Sequence, residues 1–195
     1  MRRSKVETAK TRERIVKAAG AEFLTNGITE AGLAAIMRAA GLTHGGFYRH
    51  FDSKNELVAE ACGKILGSLI AGLESHLDGK PRNRALLLLV DRYVSRAHRD
   101  RPATGCPLAG LGTELARADR KTREAAEEGL LRLSRLIARQ LEDVSPKKVE
   151  QESLAITAAM VGAIILARIA PDPRISNSIL VGTREHIARA ARRKR

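Results

Sequence analysis

Apolar residues recur at steps of three and four along almost the whole chain, and that spacing commits it to helices. Strand signals are nearly absent: aromatic residues make up 3% of the 195 residues, and no long alternation of apolar and polar positions occurs. The prolines and several glycines supply the breaks between helical stretches.

The spacing predicts a first helix over 5–26, with Ile15, Ala18, Ala19, Phe23 and Leu24 on one face and Asn26-Gly27 at its end. A second helix over 30–40 turns Leu33, Ile36 and Met37 inward and closes at Gly41. Thr43 suits the N-cap of a short third helix over 44–50. Ser53, with Glu56 three residues later, forms a capping box for a fourth over about 54–77, carried by Leu57, Val58, Ala61, Ile65 and Leu69. After the loop at 78–81, helices are expected over 83–98, 108–117, 121–144 and 146–169, and from Asn177 into the basic tail. That tail, 188–195, holds four arginines and one lysine, and reads either as a solvated end or as a DNA contact.

Residues 29–51, TEAGLAAIMRAAGLTHGGFYRHF, read as helix, glycine-containing turn and short second helix, the helix-turn-helix arrangement. Phe47 and Phe51 point into the domain, leaving His44, Tyr48 and Arg49 for the other side. Thr43 and the amides near it can hold a phosphate or a base edge. His44 can donate or accept at a base edge, and Tyr48 and His50 can hydrogen-bond phosphates. Lys54 adds charge, and Arg49 reaches DNA or stays solvated. Gly45 and Gly46 each cost a helix about 1 kcal/mol against alanine, which suggests that close backbone approach is wanted there. The net charge of +13 and the pI near 10.5 point the same way, to a polyanionic partner. A small helical bundle with polar residues outside is the plainer reading of the same pattern.

The segment GLTHGGFYRHFDSKNEL resembles the signature of the TetR family: a Gly-hydrophobe-Ser/Thr turn, a Tyr-x-His-Phe stretch and a Ser-Lys-x-x-Leu opening of the fourth helix. The preceding helix, ending in phenylalanine and Asn-Gly, fits as well, so the resemblance covers residues 10–60. It implies an all-α protein with an N-terminal three-helix helix-turn-helix domain (1–54), a connecting helix over about 54–77, and a C-terminal helical effector-binding and dimerisation domain (55–195). It also implies a homodimeric repressor of a palindromic DNA operator, controlled by a small molecule or reactive effector. By position, Thr43, His44, Gly45, Gly46, Tyr48, His50 and Lys54 sit where family members contact DNA. The chain departs from the pattern where many relatives cap the second helix with a hydroxyl. Ala31 or Gly32 stands there, so Thr29 or Glu30 is expected to cap instead, with Thr29 joining the DNA contacts.

In the C-terminal part, the resemblance pairs the helices at about 146–170 and 177–190 with their symmetry mates. LAITAAMVGAIILARIA, apolar nearly all round, must be covered on more than one side, by a partner or by the monomer itself. Its most apolar run, 158–167, is ten residues and reads as a buried helix rather than a membrane span. Cys106, ahead of Pro107 and a helix start, with Arg99 and Arg101 nearby, reads either as a thiol with a lowered pKa that senses electrophiles or as a small apolar residue in a tight loop. A subset of the family carries a Gly-Cys pair at this place. Cys62 reads as a core thiol. The effector pocket should be aliphatic, since Tyr93 is the only aromatic after residue 51, with His98, Glu114 and Arg117 as polar anchors. No cofactor or metal is expected. Phosphate-loop, HExxH and Gly-x-Ser-x-Gly patterns are missing, which argues against an enzyme. The N-terminus lacks a continuous apolar stretch, so a cytoplasmic protein is expected. A protein coating any nucleic acid is the competing class; it predicts equal binding to every sequence.

Overall fold

The computed structural model describes residues 5–141 and 145–192, and every regular element among them is a helix. In chain order these are α1 (Lys5–Asn26), α2 (Leu33–Ala39), a 3-10 turn at His44–Arg49, α3 (Lys54–Leu77), α4 (Arg82–Tyr93), α5 (Arg96–Arg99), a second 3-10 turn at Pro102–Thr104, α6 (Pro107–Gly110), α7 (Gly112–Ala116), α8 (Arg120–Ala138), α9 (Pro146–Ile169) and α10 (Pro173–Arg192).

Two apolar cores share α3. The first gathers Ile15, Ala19 and Phe23 of α1, Ile36 and Met37 of α2, Phe47, Phe51, and Leu57, Val58, Ala61 and Cys62 from the first half of α3. It also takes in Leu111, Leu115 and Ala126, so its packing extends well past residue 54. The second core gathers Leu66, Ile70 and Leu73 from the later half of α3 with residues of α4, α8, α9 and α10, among them Leu89, Leu133, Met160 and Leu180. α8 crosses α3 closely because Gly129 has no side chain: a Cβ there would clash with the Leu66 side chain. Ser134 and Ser153 meet across α8 and α9 at 2.8 Å, satisfying two buried hydroxyls.

Several boundaries differ from those the spacing predicts, each for a local reason. α2 begins at Leu33, not Glu30, behind an extended Gly32 that offers no side-chain cap. The third helix is a 3-10 turn, and the Thr43 hydroxyl makes no cap bond to it. The helix expected over 83–98 stops at Tyr93, because Val94 leaves helical geometry (ψ 67°) and the Ser95 hydroxyl accepts the His98 N–H at 3.2 Å, starting a separate turn. The helix expected over 108–117 splits at Leu111, whose buried side chain holds the backbone at φ −125°, ψ 11°. α8 ends at Ala138, short of Val144; residues 142–144 lie outside the described residues, as does the end of the basic tail, 193–195. α10 begins at Pro173 rather than Asn177, with the Asp172 carboxylate accepting the Arg174 N–H at 2.8 Å.

By length and composition the helical stretch Lys147–Ile169 is long and apolar enough to cross a membrane, although its densest run is short. It packs between α8 and α10, and its uncovered apolar surface continues around the α9–α10 turn through Leu166, Ile169 and Ile175.

The Gly129–Leu66 crossing sets a test of packing. Gly129→Val should lower the unfolding free energy by about 1–3 kcal/mol, through overpacking, read as a lower urea midpoint at unchanged slope. An unchanged midpoint would mean that α3 and α8 can separate at no cost.

Candidate nucleic-acid interface

The 3-10 turn at His44–Arg49 is held from both ends. Before it, Gly41 adopts φ 69° and lets the Leu42 N–H reach back to the Met37 carbonyl at 2.8 Å, closing α2. Within it, Phe47 is fully buried and stacks on Phe51 at 5.6 Å, while Tyr48 meets Phe47 edge-on at 5.1 Å. After it, Ser53 accepts the Glu56 N–H at 3.1 Å, and Glu56 reaches back to the Asp52 N–H at 2.7 Å, one residue beyond the usual capping-box partner. That bond, and then Arg12, hold the Glu56 carboxyl below its usual pKa.

Arg12 is the residue that sequence reasoning missed. Its guanidinium donates to Glu56 at 2.9 Å, to Glu60 at 2.9 and 2.5 Å and to the His50 carbonyl, and lies 4.0 Å over the Phe51 ring. α1, the end of the turn and α3 are thereby tied by one side chain. The signal was present: Arg12 falls on the stripe of Val16, Ala19 and Phe23, a cation where an apolar residue is expected.

With the turn fixed, Thr43, His44, Gly45 and Arg49 are exposed, and Tyr48 shows 67% of its surface. Neither glycine is demanded by the fold. A Cβ on Gly45 meets nothing within 4 Å, one on Gly46 makes only ordinary contacts, and neither takes a positive φ. Thr43, Gly46, Arg49 and His50 share a groove with Thr8 of α1, Met37 and Leu42. The other two expected contacts are turned elsewhere. Lys54 Nζ donates to the Thr29 carbonyl at 3.3 Å. Thr29 does not cap α2; its N–H and hydroxyl donate to Glu114 Oε1 at 2.9 and 3.2 Å. Glu114, expected among the effector anchors, is thus bonded to the helix-turn-helix region, and it also packs on Gly27, which takes φ 84°.

The other sensing candidates do converge. Tyr93 and His98 pack edge-on at 4.6 Å and line a 280 Å³ cavity with Ser68, Leu69, Arg92 and Arg101. The Cys106 N–H donates to His98 Nε2 at 3.0 Å, which leaves the proton on Nδ1 to donate to the Tyr93 carbonyl at 2.8 Å. Burial, joined by the nearby Arg168 charge, lowers the His98 pKa against the Tyr93 carbonyl, which raises it. Arg168 donates to the His98 and Arg99 carbonyls at 3.0 and 3.1 Å. Gly105 leaves room for them: a Cβ would lie 2.9 Å from Arg168 Nη2 and 3.2 Å from His98 Nε2, so a larger residue would press on that guanidinium. Cys106 is fully buried, and burial pushes its thiol up, outweighing Tyr93, the nearby amides and Arg168. This corrects the expected lowered thiol pKa: α6 is a single turn, and the sulfur beside it is dry. The Tyr93 hydroxyl lies against this thiol without a well-formed hydrogen bond. Burial pushes the Cys62 thiol up to about 12, as suits a core residue.

His98 makes stability depend on pH. Between its lowered folded value and the ordinary 6.5, the unfolded chain binds a proton that the folded chain does not. Stability should therefore rise with pH through that window and be independent of His98 above and below it. Unfolding free energies measured over about pH 5 to 7 should show this slope, flattened in His98→Gln; an equal slope in both proteins would refute the assignment.

Residues 15–61 match the family described as "Bacterial regulatory proteins, tetR family", and residues 83–175 match "Transcriptional regulator LmrA/YxaF-like, C-terminal domain". A "HTH-type transcriptional repressor BepR" of Brucella suis is 41% identical over 64 residues, covering 33% of this chain and 31% of that protein. An uncharacterised regulator of Bacillus subtilis, YdgC, is 30% identical over 107 residues, covering 51% of this chain and 54% of that one. The chain thus matches about a third to a half of the length of these curated relatives. Among solved structures, a TetR transcriptional regulator from Chloroflexus aurantiacus superposes with TM-score 0.77 at 26% identity, covering 93% and 96% of the two chains. Reduced NemR of Escherichia coli superposes with TM-score 0.76 at 20% identity, covering 91% and 95%.

Proposed function

The chain belongs to the TetR family of bacterial regulatory proteins, whose members regulate transcription rather than catalyse reactions, and from that premise we propose that it is a cytoplasmic repressor. In this reading a homodimer holds a palindromic DNA operator and releases it after an event in the C-terminal part. The observation that carries it is the Thr43–Arg49 surface: polar, glycine-bearing and exposed, yet pinned beneath by Phe47, Phe51 and Arg12. A net charge of +13 supports a polyanionic partner. Thr43, His44, Tyr48 and Arg49 meet the duplex through this turn, the glycines allow close approach, and His50 and Lys54 flank it. Residues 1–54 read the DNA, α3 connects, and 55–195 sense and dimerise.

The dimer reading rests on surface that the monomer leaves bare. Leu166 (55% exposed), Ile169 (69%), Ile175 (56%) and Val181 (41%) cluster on α9 and α10. A twofold pairing there would cover α9 and set two recognition turns against two half-sites.

For release, the favoured reading is a non-covalent ligand at the 280 Å³ cavity beside Tyr93 and His98, because the buried, protonated Cys106 is a poor nucleophile. Its lining touches α3 through Ser68 and Leu69. A ligand preferring a different placement of α3 would change the spacing of the turns and weaken DNA binding.

Titration into labelled DNA from immediately upstream of its own gene, against scrambled DNA at physiological salt, tests this. We expect selectivity of about a thousandfold or more. Tyr48→Ala should cost about tenfold in affinity, and Arg49→Ala should reduce the salt slope by about 1. Equal affinity for a set of promoter fragments and for scrambled DNA would favour the coating protein instead. Loss of binding after thiol-electrophile treatment, spared in Cys106→Ser, would move the sensing role to that cysteine.

A further inference from the structure

A hollow larger than the sensing cavity lies outside it, between α1, α3 and the Pro102–Thr104 turn. Its volume is 830 Å³, within the range of small-molecule sites. Its floor is aliphatic: Val16 and Leu24 from α1, Ile65 and Leu69 from α3. No aromatic side chain lines it, so it offers no stacking platform for a planar ring. Its rim is basic. Lys10, Arg14, Lys17 and Lys64 stand against the single carboxylate of Glu13, which pairs with Lys64 at 3.1 Å. Arg14 is occupied by the Ala40 carbonyl and Lys64 is shared with Glu13, so Lys10 and Lys17 carry the rim's unshared charge and an anion at Lys64 competes with Glu13.

We infer that this groove binds an anionic amphiphile: an unbranched aliphatic chain seated on Val16, Leu24, Ile65 and Leu69, with a carboxylate head at Lys17 and Lys64. Both halves of the ligand are read from the lining. An aliphatic floor rewards burial of methylenes at about 0.8 kcal/mol each but holds no polar ligand. A lysine rim favours a negative head and repels a positive one. The walls are firm, since Gly20 is packed against Ile65 and Leu24 against Gly110, so the groove exists before the ligand arrives. Ser68, Leu69 and Thr104 line both this groove and the 280 Å³ cavity, so the two sites adjoin across α3. One wall belongs to α1 and the other leads directly into Gly105-Cys106, so the ligand bridges the two cores. The site stands whether or not the chain binds DNA.

The test is calorimetric titration of the full chain with decanoate below its micelle threshold. We expect saturable binding. Ala21→Trp, which fills the groove from an exposed position on α1, should weaken it at least about tenfold with helix content unchanged. Lys17→Glu with Lys64→Glu should weaken decanoate by about tenfold or more and strengthen decyltrimethylammonium, reversing the preference of the wild type. Should Ala21→Trp fail to fold, Ala103→Trp closes the groove from the opposite wall. Absence of saturable binding, equal affinity in the groove-filling variant, or equal affinity for the two head groups would each overturn the assignment.

Discussion

One guanidinium fixes the exposed His44–Arg49 turn to the helix that follows it. Arg12 touches Glu56 and Glu60 on α3, the carbonyl of His50 at the end of the turn, and the face of Phe51. None of these charges is deeply buried, and a single exposed ion pair contributes about 0–1 kcal/mol. Their value is geometric. The turn is a 3-10 segment with two glycines, which has little intrinsic stability of its own. It keeps its shape because Phe47 and Phe51 are buried beneath it and Arg12 clamps its exit.

From that clamp the geometry runs along α3. Its first half belongs to the core that supports the turn and its second half to the core that holds Tyr93 and Cys106. α3 is thus a rigid element that neither core can move without the other. A second tie runs parallel to it, from Glu114 on α7 to Thr29 just ahead of α2. α3 gives an event in the later core a physical route to the turn through packed helix rather than a flexible linker, and the Glu114–Thr29 bond ties α7 to the core beneath that turn.

Much of this was legible in the sequence. The bounds of α1 and α9 follow from apolar spacing together with Gly27 and Pro146, and the Ser53 cap from its side chain type. The exposed turn follows from Phe47 and Phe51 at helical spacing. What was not legible depends on residues far apart in the chain. The Thr29–Glu114 bond joins positions 85 apart, so neither the second helix's missing cap nor the role of Glu114 follows from local pattern. Cys106 has the flanking arginines and helix start of a reactive thiol, but its burial is decided by α4, α5 and α9 closing over it, and burial outweighs those local charges. The split of the fifth helix at Val94 turns on Ser95 offering its hydroxyl to His98, a competition that apolar spacing does not register.

The central claim is that α3 carries two such turns, one per protomer, at a spacing matched to DNA. Pulsed electron-spin measurements with a label at Ala39→Cys, beside the turn but outside the residues placed on DNA, test it most directly, since Ala39 is exposed and both native cysteines are buried. The account predicts one intermolecular distance distribution, broad in free protein and narrowed on operator DNA to about 34–36 Å, allowing for the label's reach. A signal with no intermolecular distance, or a distribution that DNA leaves unchanged, would contradict it.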